Sequence, residues 1–95
     1  MRLNDCIDQF NDTDPCRINR KLVLKYFTKR CFISLYKKEY RLVRVTHKRH
    51  FSMKVIIEPK DAKYLINKLD LVKHSSATYN YGYIYLMKGV VPNEI

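Results

Sequence analysis

Glycine and alanine are almost absent from this chain, with two of each in 95 residues. With only Gly82 and Gly89 it cannot build a glycine-rich phosphate loop, which argues against conventional nucleotide hydrolysis. Long apolar runs are missing too. The longest aliphatic stretches, such as Leu22 to Leu24 and Val55 to Ile57, are three residues, against the roughly 20 that a bilayer-spanning helix needs. Cysteine is scarce and unpatterned. Cys6, Cys16 and Cys31 are odd in number and lack any C-x-x-C spacing, so neither a disulfide framework nor a zinc site is expected. The first residues lack the basic and apolar regions of a secretory signal. These absences predict a cytoplasmic, reducing setting with no metal, no cofactor and no membrane partner.

Acid is the most telling absence. Between Arg17 and Lys54 thirteen Lys or Arg residues stand against one acid, Glu39, a formal charge of +12 over 38 residues. A disordered basic arm would be poor in aliphatic residues, yet Leu22, Val23, Leu24, Ile33, Leu35, Leu42, Val43 and Val45 run through this segment. The charge therefore belongs to a folded surface, and a polyanionic partner is its simplest use. Residues 1–16 carry four Asp against Arg2, a net of −3, so they read as an acidic N-terminal arm ahead of a basic α+β domain over 17–95. In that arm Leu3, Ile7 and Phe10 are spaced for a short amphipathic turn.

Asp14 followed by Pro15 is a helix-start signal. Beyond it Ile18, Leu22, Val23, Tyr26 and Phe27 share one arc at helical spacing, which leaves Arg17, Arg20, Lys21 and Lys25 on the other. Residues 31–36, 40–47 and 51–58 read as three strands. Short connections, Lys37-Lys38-Glu39 and Lys48-Arg49-His50, favour an antiparallel meander. Pro59 opens a second helix with an apolar stripe of Ala62, Leu65, Ile66 and Leu69. Asp61 falls in its first turn, and Lys68, Lys73 and His74 fall toward its end. A polar stretch from His74 to Thr78 then leads to a tyrosine-rich last strand near Tyr79 to Lys88. The fold class expected is a small single α+β domain.

The order helix, three strands, helix is similar to that of double-stranded RNA-binding domains, and residues 59–63, PKDAK, resemble the basic start of their second helix. The small residues that precede that helix in the family are missing here and a final strand follows, so no family is assigned.

Candidate contact residues follow from charge and period. Arg17, Lys21 and Lys25 on the first helix, Lys37, Lys38, Lys48 and Arg49 in the connections, and Arg41 and Arg44 on the middle strand are suited to phosphates. A regular strand puts Arg41 and Arg44 on opposite faces, so one of them needs an edge, a bulge or an acid partner. Tyr79, Tyr81, Tyr83 and Tyr85 fall on one side of the last strand, either packed or available to stack unpaired bases.

The function expected is non-enzymatic contact with a DNA or RNA backbone or with a nucleic-acid-handling complex. Usage rich in Lys, Ile, Asn and Tyr, 34 of 95 residues, is that of an AT-rich genome and fits a phage or mobile element. The alternative is a protein inhibitor that blocks a host nucleic-acid enzyme or defence complex, with an acidic host protein as partner. A third reading is a small metal-independent ribonuclease with His47 or His50 as base and Arg49 on the phosphate.

Overall fold

The computed structural model describes residues 6–9, 14–46, 51–75 and 82–92. Among them the chain forms two short strands, β1 (Ile7–Gln9) and β2 (Arg17–Ile18), then a helix, α1 (Arg20–Tyr26). A meander follows, β3 (Cys31–Tyr36), β4 (Glu39–Val45) and β5 (Phe51–Ile57), and then α2 (Pro59–Lys68), β6 (Val72–Ser75) and β7 (Tyr83–Leu86).

The first helix starts later than Asp14-Pro15 suggests. The Cys16 N–H donates to the Ile56 carbonyl at 2.7 Å, and Arg17 and Ile18 pair with Gln9 and Ile7. Tertiary pairing thus takes the backbone groups that a longer helix would have used. Asn19 is the cap instead, its side-chain Oδ1 accepting from the Leu22 N–H at 3.2 Å. Arg17 and Ile18 therefore belong to a strand, and Ile7 lies in a strand in place of the expected amphipathic turn. Leu3 and Phe10 lie outside the described residues.

The expected meander is present as part of a larger sheet. Its strands lie in the order β5-β4-β3-β7-β6, and every neighbouring pair is antiparallel. β3 is central and buried on both faces from Cys31 to Ser34. Cross-strand partners share a face, so the register defines rows of side chains. On one face the row nearest the β3–β4 turn runs Ile57, Tyr40, Leu35, Tyr83, Ser75, and the next on that face runs Val55, Leu42, Ile33, Tyr85, Lys73.

This face carries the helices. Val23 and Phe27 of the first helical segment and Ala62 and Leu65 of α2 pack with Cys31, Ile33, Leu42, Met53 and Ile57, joined by Cys6, Ile7 and Cys16. All three cysteines are buried. The opposite face buries a smaller cluster of Phe32, Val43, Val45, Ile84 and Leu86, with Val90 from the segment after β7 packed among them. No helix among the described residues is long and apolar enough to cross a membrane.

α2 begins at Pro59 as expected and ends in a Schellman motif. The Leu71 N–H donates to the Ile66 carbonyl at 3.0 Å and the Asp70 N–H to the Asn67 carbonyl at 3.3 Å. Lys73 and His74 consequently leave the helix and enter β6, an edge strand with only one half-buried residue, His74. Gly82 sits where β7 meets β3. Its φ is +74° and an added Cβ would stand 2.8 Å from the Leu35 carbonyl oxygen, so only glycine fits without a backbone shift.

Candidate functional site

Folding divides the cations into two groups. Arg20 turns inward: its Nε lies 2.7 Å from Asp61 Oδ1 and its guanidinium carbon 4.4 Å from the Tyr64 ring centroid, which ties α1 to α2. Arg41 pairs with Glu39 at 3.1 Å. Arg44 donates to the Ser52 hydroxyl at 2.8 Å, where the β4–β5 register shifts by a bulge. The opposite-face problem of Arg41 and Arg44 is thus met by an acid partner for one and a bulge for the other.

Arg17, Lys21, Lys25, Lys37 and Lys38 are exposed. They come from three different elements: Arg17 is on β2, Lys21 and Lys25 are on α1, and Lys37 with Lys38 makes the β3–β4 turn. Lys48 and Arg49 lie outside the described residues, as do His47 and His50.

The Lys37-Lys38 turn is conformationally unusual. Tyr36 pairs with Glu39, so the loop is two residues long, and both lysines have positive φ, 51° and 65°. Positive φ at both central positions is the signature of a type I′ turn, which strongly prefers Asn-Gly. An L-residue with a Cβ held there costs roughly 1 to 2 kcal/mol. Two adjacent like charges at the tip add repulsion that is relieved when an anion approaches.

Beside this turn the sheet presents tyrosines. Tyr83 is 44% exposed, and Lys73 Nζ lies 4.1 Å from its ring centroid. Tyr85 is half-buried two residues on, on the same face. Tyr79 and Tyr81 lie outside the described residues.

An open cleft of about 480 Å³ lies between α2 and this part of the sheet. Tyr40 and Tyr85 line it from the sheet, Lys63, Ile66 and Asn67 from α2, and Asp70 and Leu71 from the turn that follows. Tyr40 is two residues beyond Lys38 and shares its row with Tyr83, so the cleft begins beside the lysine turn and runs away from it past Tyr85 to Asp70 and Leu71, just ahead of β6. Charge period alone does not reveal Lys63, Lys73, Tyr40, Asn67 and Asp70 as neighbours of this surface, because helix and sheet meet there only in three dimensions. The local signal was Asp70, an acid standing where a helix usually ends on glycine.

Among the described residues no group of three His, Cys, Asp or Glu side chains is placed to hold a metal. Fold and surface define a small α+β protein with a helix-roofed antiparallel sheet and a cationic, tyrosine-bearing end. Comparison with known proteins adds no narrower class: no protein-family model, curated protein or solved structure matches the chain.

Proposed function

We propose that this protein is a non-enzymatic binder of a nucleic-acid backbone, with its contact surface at the end of the sheet that bears Lys37 and Lys38. The observation that carries the reading is the turn itself, two lysines held at positive φ where Asn-Gly would be less strained. Strain retained at an exposed tip is accounted for when the side chains there do work that the preferred turn residues cannot do.

Lys73, with its Nζ over the exposed Tyr83 ring, and Lys63 of the adjoining cleft extend that surface away from the turn. Phosphates would meet the lysines, with counterion release supplying affinity, and a splayed base would have an aromatic ring available. Arg20 and Arg41, already paired with acids, take a smaller part.

The test is a titration of the full chain against labelled single-stranded and duplex oligonucleotides, starting at about 50 mM salt, where phosphate contacts are strongest. Binding that weakens linearly in log–log form as salt rises is the expected result. No binding at the lowest salt removes the reading. A stable complex with one acidic protein in a pull-down from lysate would then favour the inhibitor alternative.

A further inference from the structure

We propose that the cleft between α2 and the sheet receives the base of an unpaired guanine; this rests on the nucleic-acid reading above and specifies which part of the strand the cleft takes. The argument begins with Asp70. It occupies the left-handed position of the Schellman motif with φ 52°, where glycine is the usual residue. It also places a carboxylate just beyond the C-terminus of α2, the end of a helix that favours cations. Both features oppose stability.

Among the described residues the Asp70 carboxylate has no ion pair, although the chain carries 19 Lys and Arg against nine Asp and Glu. Asp70 is exposed and lines the cleft with Asn67, Lys63, Tyr40 and Tyr85. The fold thus keeps an unpaired acceptor at a position where glycine would serve the backbone better.

The chemistry of that acceptor selects a ligand. An ionised carboxylate only accepts hydrogen bonds, so whatever meets it must offer donors. A cationic ligand is disfavoured by Lys63 in the same cleft and by the net charge of +10. A neutral donor edge attached to an anion satisfies both constraints. Among the nucleobases guanine alone sets two donors side by side on its pairing edge, the ring N1–H and the exocyclic amino group, which match the two carboxylate oxygens. Each of the other bases presents a single donor group there, next to one or two acceptors. That edge is free only in unpaired strands, where recognition combines edge hydrogen bonds with aromatic stacking. Tyr40 and Tyr85 supply aromatic surface, and the volume lies within the about 300 to 1,000 Å³ typical of small-ligand sites.

The experiment measures anisotropy of labelled oligothymidylate carrying one central guanine, inosine or adenine, with matched oligouridylate strands to separate DNA from RNA. Wild-type protein is expected to bind the guanine strand about tenfold more tightly than the adenine strand, as a bidentate base contact allows. Inosine, which lacks the amino group, should fall between them. Asp70→Gly removes the carboxylate while relieving the left-handed strain, so it folds at least as well and is expected to level the three strands. Asp70→Asn should reduce the guanine preference without weakening binding to plain oligothymidylate. Equal wild-type affinity for guanine and adenine strands, or a preference that survives Asp70→Gly, overturns the guanine site and leaves backbone binding standing. No binding of any strand overturns both.

Discussion

Arg20 directs its charge into the protein, 2.7 Å from a mostly buried Asp61 and against the Tyr64 ring, and it joins the two helices. Lys37 and Lys38 direct theirs outward from a two-residue turn whose backbone both of them strain. In the sequence the two sites are equivalent members of one basic segment. In the fold one cation stabilises the structure, whereas the other pair is carried at a conformational cost. The difference teaches that net charge alone overstates a binding surface, since part of it is already neutralised internally. It also predicts opposite responses to substitution.

The largest effect on stability is expected at the inward site. Arg20→Ala leaves the Asp61 carboxylate, whose side chain is 12% exposed, without its cation. Breaking a fully buried pair costs more, and the 37% exposure of the Arg20 side chain discounts the loss to about 2 kcal/mol. In a domain of this size each kcal/mol lowers the melting temperature by roughly 4 to 8 °C, which calorimetry would read. The salt dependence of oligonucleotide binding should not change. A changed slope with an unchanged melting temperature would break the comparison, because Arg20 would then be facing the partner.

The outward site should respond in the reverse sense. Replacing Lys37 and Lys38 by Asn and Gly installs the preferred type I′ sequence and should raise stability by about 1 kcal/mol. If each lysine meets one phosphate of a single strand, the slope of log K against log salt should fall by about 1.4. A protein that is more stable yet binds less well would separate the two roles of charge in one variant. An unaltered slope would move the contact surface away from the turn.

Much of the architecture is legible before any coordinates. The strand at Phe51–Ile57 alternates in period two, Pro59 marks the second helix, and the boundaries of β3 and β4 fall within two residues of those expected. The errors share a cause, which is pairing between segments distant in sequence. Asp14-Pro15 has sound local capping chemistry, but Cys16 is held by Ile56 some forty residues later. β6 is four residues of mostly exposed side chains at an edge, too short and too polar for periodicity to report. The cleft was illegible for the same reason, since Tyr40, Asn67 and Tyr85 converge only when α2 lies across the sheet. Which cations are neutralised was legible only in part: the Arg41 and Arg44 conflict follows from strand period, whereas the Arg20–Asp61 pair spans 41 positions.

The smallest effects are expected on α1, and they sharpen the comparison because Lys21 and Lys25 belong to neither extreme. Both are exposed, and neither needs positive φ. Lys25 lies in the last turn, where a cation suits the helix dipole, with Nζ 5.5 Å from the Tyr26 ring centroid. Lys21→Ala with Lys25→Ala should therefore change stability by no more than about 0.5 kcal/mol, since alanine restores in helix propensity part of what the dipole loses. If the partner meets the turn end of the sheet, the salt slope should also fall by less than it does in the Lys37 and Lys38 variant. The opposite ranking, a helix pair that lowers the slope while the turn pair does not, would reverse the assignment. Turn strain would then have a structural cause, and the outer face of α1 would be the surface that meets the polyanion.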